Sequence, residues 1–245
     1  MSVIDHPSFP QPVDSTTKVW RYSDLAKFLW TIQRKELYLT RLENLSDPFE
    51  GALPEPMIDI HRELRGIIPI TPEIEEHFKT VNKMPRRIIC VNCWRLGNDE
   101  SFAMWRLYCP DKLGVAIQTT YEKLANSFDD QEAFIGLVTY LDYHVGAFEV
   151  RNGFSNAMHK RPCFSFESEV RIAKISAEHL LAPADGPSPA HGISLSWCLE
   201  SIDAILVDPA APSYLFEVLA QTLNDIAPNL VQKLRWSELR DEPRF

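Results

Sequence analysis

The strand expected to organise this chain lies at residues 164–175, which read FSFESEVRIAKI. Successive side chains of a β-strand point to opposite faces, so every second residue lies on the same face. One face is apolar and comprises Phe164, Phe166, Val170 and Ile172. The other face is charged and comprises Glu167, Glu169 and Arg171. The pattern predicts a half-buried strand on which two carboxylates and a guanidinium lie in one row.

Shorter apolar runs on both sides of this segment predict further strands, at residues 19–22, 36–40, 86–94, 115–119, 134–143, 202–207 and 230–234. Helical spacing predicts helices between them, one capped by Ser23 and another by Asn98 or Asp99. Because strands and helices do not alternate strictly, we expect a single α+β domain over residues 18–245, with a twisted or split β-sheet core and surrounding helices. Residues 1–17 carry three prolines and are expected to form a flexible N-terminal arm, outside the core or draped over it.

The composition is that of an acidic globular protein. Its 245 residues include 25 Lys and Arg against 34 Asp and Glu, a formal net charge of −9. This surplus argues against general binding to nucleic acid or to an anionic membrane surface, although a local basic site is compatible with it. Five cysteines, an odd number, and the lack of an apolar leader predict reduced thiols in a cytoplasmic protein. No stretch approaches the ~18 apolar residues of a membrane span.

Several well-defined motifs are absent. The nine glycines form neither G-x-G-x-x-G nor G-x-x-x-x-G-K-[ST], which excludes the standard dinucleotide and P-loop cradles. The seven histidines show no H-E-x-x-H spacing, and no G-x-S-x-G marks a nucleophile elbow. Cys90 and Cys93 form a single C-x-x-C pair whose side chains would point to opposite faces of a strand, so they are expected to fill the core. We therefore expect no metal site and no covalently bound cofactor.

The charged row has two interpretations. Two carboxylates beside a guanidinium can bind a sugar diol or stabilise a developing cation, as Glu167, Glu169 and Arg171 would. The alternative is a solvated strand face on which Arg171 pairs with a carboxylate. Lys160 precedes the row and either clamps an anion or belongs to an exposed basic turn.

Three residues outside the row are also candidates. Trp105 and Tyr108 lie at helical spacing and form either a core stripe or a wall on which a base or nicotinamide ring stacks. Arg21 lies in a short apolar strand, where a cation needs a partner. That partner is either Asp47 or Glu50 from the following loop, or a phosphate or ribose of a ligand.

Four groups of segments, in their order and spacing, resemble the bacterial family catalogued as domain of unknown function 2971. They are residues 19–22 (VWRY), 44–50 (NLSDPFE), 100–108 with 114–117 (ESFAMWRLY and GVAI), and 138–140, 160–171 and 205–209 (VTY, KRPCFSFESEVR and ILVDP). Ser46 stands where the family usually has asparagine. The resemblance covers roughly residues 18–234, and it implies a fold and a set of site residues but no reaction.

An early-strand arginine followed by a late-strand Glu-x-Glu also resembles ADP-ribosyltransferases. The resemblance implies that Arg21 contacts the adenosine end of NAD as a substrate and that Glu169 holds the nicotinamide ribose, while Glu167 serves the acceptor. Candidates for the middle-strand serine or tyrosine of that superfamily are Ser101 and Tyr140. The alternative function is a noncatalytic module that binds a small nucleotide or a protein partner. A split-sheet cleft in which Arg21, Tyr108 and Glu169 converge would favour the enzyme.

Overall fold

The computed structural model of the chain describes residues 6–59, 71–128, 132–150, 152–181 and 191–243. These ranges form a nine-stranded mixed sheet flanked by helices, and a separate two-stranded sheet, which confirms the predicted α+β class. The strands are β1 Lys18–Asp24, β2 Glu36–Arg41, β3 Ile89–Leu96, β4 Gly114–Thr120, β5 Ala133–Leu137, β6 Thr139–Tyr140, β7 His159–Lys160, β8 Glu169–Ile175, β9 Gly192–Ser196, β10 Ala204–Val207 and β11 Leu234–Trp236. The helices are Leu25–Arg34, Pro72–Ile88, Phe102–Tyr108, Tyr121–Ala125, Ala177–Leu181 and Ser213–Ile226. None of the described helices has the length and apolar content needed to cross a membrane.

The sheet splits along one edge of β3. On its other edge, β3 pairs with β8 from Ile89 to Arg95 without interruption. The split edge is shared by two strands, since β2 pairs with Cys90 and Val91 whereas β1 pairs with Arg95 and Leu96. Within the described residues, positions 92–94 of β3 therefore have no strand partner on this side. From Val91 to Arg95 the split spans four residues, about 13 Å along the strand.

Apolar side chains cover both faces of this sheet, as expected for central strands. Along β3, Cys90 and Trp94 join a large cluster beneath the helices Leu25–Arg34 and Ser213–Ile226, while Val91 faces a second cluster on the opposite side. A third cluster is built around Trp105, whose helix packs on β1.

The segment 164–175 is only partly a strand. Residues Pro162–Glu167 form a 3-10 helix, and Ser168 adopts a left-handed conformation (φ 43°) that breaks the alternation before β8 begins at Glu169. The 3-10 turn has no period of two, so Phe166 is exposed instead of sharing a face with Val170. The predicted solvated charged row is therefore wrong, because Glu169 and Arg171 are 3% and 0% exposed.

Two predicted helix caps are displaced by one to three residues. Asp24 caps the first helix instead of Ser23, its carboxylate accepting from the Lys27 backbone N–H at 2.8 Å. Ser101 caps the helix Phe102–Tyr108, in place of Asn98 or Asp99.

The described part of the N-terminal arm is draped over the sheet. Phe9 is buried in the cluster that contains Val91, and its backbone lies against Gly136 of β5. The side-chain amide of Gln11 donates to the Ile135 carbonyl at 2.9 Å. The arm was expected either outside the core or draped over it, and residues 6–17 lie over the core.

Candidate functional site

A cavity of about 660 Å³ opens where β1 and β2 diverge from β3. Asn92 and Trp94 line it from one face of β3, and Cys93 and Arg95 line it from the other. The cavity therefore extends through the split from one side of the sheet to the other. Its remaining walls are largely aromatic and include Trp20, Tyr22, Phe28, Trp30, Tyr38 and Tyr108.

Arg21 of β1 brings a positive charge to this cavity. Its Nη1 donates to the Cys93 carbonyl at 2.8 Å, across the split from β1 to β3. The two expected carboxylate partners, Asp47 and Glu50, bind other cations, and no carboxylate of the described ranges forms an ion pair with Arg21. Burial lowers the pKa of this guanidinium. Arg21 is thus a half-buried cation that binds a backbone carbonyl and has no carboxylate partner among the described residues.

A buried charge cluster lies beside the cavity and is centred on Lys160. Its Nζ lies 2.6 Å from Glu167, 3.0 Å from Glu169 and 3.3 Å from Glu50. Arg171 adds a second cation, 3.1 Å from Glu50 and 2.8 Å from Glu169, and it also donates to the Ala157 carbonyl. Three carboxylates therefore share two cations, and one negative charge is left uncompensated.

The two glutamates that line the cavity are not equivalent. Burial alone would raise the pKa of Glu169, but Arg171 on one oxygen and Lys160 on the other hold it well below its usual value. For Glu167 burial dominates over the attraction of Lys160, and its pKa is raised. Among the described residues only Lys160 binds the Glu167 carboxylate, through one oxygen, so Glu167 presents the excess charge to the cavity.

Tyr108 and Cys93 extend the polar end of the cavity. Tyr108 is 41% exposed. The pKa of its hydroxyl is nevertheless raised, mainly by desolvation and secondly by the negative charge of Glu167. Burial and the nearby Glu169 carboxylate raise the pKa of the Cys93 thiol, which therefore stays protonated. Cys93 was expected in the core. It packs partly against the cluster that contains Val91, but it also lines the cavity. The split beside β3 could not be foreseen, because it leaves no trace in the sequence of the strand.

The loop at residues 44–50 reaches the same cluster. Glu50 is a direct member, whereas Asp47 binds Arg161 through both oxygens, at 2.8 and 3.1 Å. Arg161 in turn stacks on Phe49, with its guanidinium carbon 4.5 Å from the ring centroid. Tyr140 supports the glutamates indirectly, since its hydroxyl accepts from the Glu169 backbone N–H at 3.0 Å.

Seven predicted site residues do not line the cavity. Asp47, Glu50, Tyr140 and Lys160 belong to the charge cluster and loop described above, and the other three are Trp105, Ser101 and Arg171. Trp105 is 2% exposed, packs edge-on against Tyr22 at 5.0 Å and donates its indole N–H to Glu100. Ser101 is the helix cap described above, not a middle-strand serine. Arg171 is fully buried and its donors bind Glu169, Glu50 and the Ala157 carbonyl, so neither Trp105 nor Arg171 lines the cavity.

Sequence analysis missed Asn92, Trp30 and Tyr38. Asn92 spans the split, where its side-chain amide donates to the Tyr38 carbonyl at 2.9 Å and its oxygen accepts from the Trp94 indole at 2.7 Å. For Trp30 and Tyr38, the sequence pattern did indicate that the side chains point away from the core. Trp30 lies off the apolar spacing of its helix, and Tyr38 alternates with the buried Leu37 and Leu39.

No family model, no curated protein and no solved structure matches this chain. The resemblance to domain of unknown function 2971 therefore rests on the sequence motifs alone, and function has to be argued from the cavity itself.

Proposed function

We propose that the cleft binds NAD and that the chain is an ADP-ribosyltransferase-like enzyme, which cleaves the bond between nicotinamide and its ribose. One observation carries the proposal: the guanidinium of Arg21, which has no carboxylate partner among the described residues, and the excess carboxylate of Glu167 line the same cavity in the sheet split. A guanidinium is suited to a phosphate or ribose, and an oriented carboxylate is suited to a developing cation.

The chemistry requires few groups. When the glycosidic C–N bond breaks, its electron pair stays on the nicotinamide nitrogen, and the positive charge passes to the ribose as an oxocarbenium ion. The uncompensated charge of the cluster, presented by Glu167, stabilises that ion. Water or an acceptor then adds to the ribose carbon and gives its proton to Glu167, whose raised pKa makes it a better proton acceptor than an ordinary carboxylate.

In this proposal the roles of the two glutamates differ from those that the resemblance implied. Glu167 is the catalytic residue, because it has a free oxygen at the cavity. Glu169 is a positioning residue that fixes Lys160 and Arg171.

The second candidate, a noncatalytic nucleotide-binding module, is favoured by a specific observation. Both oxygens of Glu169 are neutralised by Lys160 and Arg171, which weakens the field that a cationic transition state would experience. Binding through Arg21 and the aromatic walls needs no such field.

Nicotinamide release from NAD separates the two candidates. The wild-type protein should release nicotinamide, and Glu167→Gln should slow release by about 100-fold or more while NAD still binds. Glu76→Gln on the exposed face of the helix Pro72–Ile88 is the matched control and should keep the wild-type rate. NAD binding without any nicotinamide release by the wild-type protein would leave the binding module as the function.

A further inference from the structure

We infer that Trp30 and Tyr38 form a second ring-binding position in the cleft, and that the ligand is a dinucleotide whose purine base stacks there. The inference rests on the proposed function, which supplies the nicotinamide ring as the first ring. It specifies the class of ligand that fills the whole cavity.

The two side chains present uncovered aromatic surface to the cavity. Trp30 and Tyr38 are 37% and 39% exposed, and their rings meet edge to face with centroids 6.0 Å apart. They come from different elements, the helix Leu25–Arg34 and β2, and both line the cavity. The Asn92 amide holds the Tyr38 carbonyl at 2.9 Å, so the backbone under this surface is fixed. A planar ring can stack here without rearrangement of the backbone.

This position is separated from the polar end of the cleft. Trp30 and Tyr38 lie on the β2 side, which is paired with β3 at Val91. Arg21 lies on the β1 side, beside Cys93 and Tyr108, and β1 is paired with β3 at Arg95. The two pairings are about 13 Å apart along β3.

A ligand with a single ring can occupy only one side of the split. A dinucleotide carries a ring at each end and an anionic diphosphate between them. With its purine stacked on the exposed surface formed by Trp30 and Tyr38, the diphosphate comes within reach of the Arg21 guanidinium and the other ring reaches the Glu167 end.

Binding of two half-ligands tests the inference directly. The probes are AMP and nicotinamide mononucleotide, titrated by calorimetry into the full chain and into Trp30→Leu and Tyr38→Leu. Each variant should weaken AMP binding by about tenfold or more, the range expected for loss of base stacking, and leave nicotinamide mononucleotide unchanged. Trp30→Phe keeps an aromatic ring and should restore most of the AMP affinity. Tyr214→Leu, at an exposed tyrosine on the helix Ser213–Ile226, is the control and should change neither.

Three results would overturn the inference: no AMP binding to the wild-type protein, unchanged AMP affinity in both variants, or equal losses for both probes. Failure of the proposed function is a separate outcome. If AMP binds in a Trp30-dependent way but NAD releases no nicotinamide, the ring-binding position stands and the enzymatic proposal fails.

Discussion

Replacing either cavity glutamate by glutamine removes one negative charge, yet we expect the two variants to change stability in opposite directions. Glu169 binds donors on both oxygens, Arg171 at 2.8 Å and Lys160 at 3.0 Å. A glutamine at this position must turn its NH₂ group toward one of those donors, which leaves a buried cation facing another donor. A glutamine at position 167 can still accept the hydrogen bond from Lys160 with its single oxygen.

The magnitudes follow from these contacts. Breaking a buried ion pair by removing one partner typically costs about 3–5 kcal/mol, so Glu169→Gln should lower the free energy of unfolding by that amount. For Glu167 the raised pKa shows that the fold disfavours the ionised form, so at pH 7 Glu167→Gln should be neutral or stabilising, by less than about 1 kcal/mol.

The pH dependence gives a second test of the same assignment. The depressed pKa of Glu169 contributes stability that is present above its ordinary value of 4.5 and is lost as pH falls toward about 2. The penalty of Glu169→Gln should therefore shrink as the pH is lowered below 4.5. The raised pKa of Glu167 has the opposite effect, because stability falls as pH rises through the folded value. Any gain from Glu167→Gln should therefore be larger at pH 7 than at pH 4.5.

Urea unfolding followed by tryptophan fluorescence measures both effects. Wild type, the two variants and Glu76→Gln are compared at pH 7 and again at several acidic values. A Glu169→Gln protein as stable as the wild type, or a loss of several kcal/mol in Glu167→Gln, would refute the assignment of the excess charge to Glu167.

Three further substitutions test the remaining parts of the fold and site. Trp105→Ala should cost about 3–5 kcal/mol in urea unfolding, because the side chain is fully enclosed by its cluster, and an unchanged unfolding midpoint would contradict that. Arg21→Met should leave the melting temperature the same or higher, since no acidic residue of the described ranges pairs with this cation. It should weaken AMP binding by about tenfold or more, whereas Arg34→Met, outside the cavity, should not change AMP binding. Gly51→Ala should destabilise the protein by more than about 1 kcal/mol in thermal melts, because φ is +75° and the added Cβ would lie 2.9 Å from Arg86 Cγ. Stability equal to the wild type would show that the loop relaxes around the added methyl group.

The elements of the fold were predictable wherever a periodic pattern was long enough. The apolar strands β1, β2 and β4 lie where the sequence predicts them, to within a residue or two at each end. The prediction of a strand over residues 164–175 failed, because the backbone conformation of a single residue interrupts it. Ser168 adopts a positive φ, and a polar residue in the middle of an alternating run gives no sign of that.

The candidate site was predictable by residue type but not by environment. The sequence offered Arg21, Glu50, Lys160 and the two glutamates as separate candidates, and the structure brings Glu50, Lys160 and both glutamates into one cluster beside the Arg21 cavity. Pairing of the charges could not be predicted, because it depends on which strands meet across the split. Arg171 looked available to a ligand in the sequence and is enclosed in the structure.

The break at Ser168 explains how two glutamates so close in sequence acquire opposite properties. In an unbroken strand both carboxylates would project from the same face with similar surroundings. Here Ser168 ends the 3-10 helix, and its carbonyl accepts from the Leu96 backbone N–H at 2.8 Å, so that β8 registers with β3 only from Glu169 onward. Glu169 is thereby fixed between Arg171 and Lys160, while Glu167 lies on the turn and binds Lys160 through one oxygen. One left-handed residue thus separates a carboxylate that stabilises the fold from one that is free to meet a ligand.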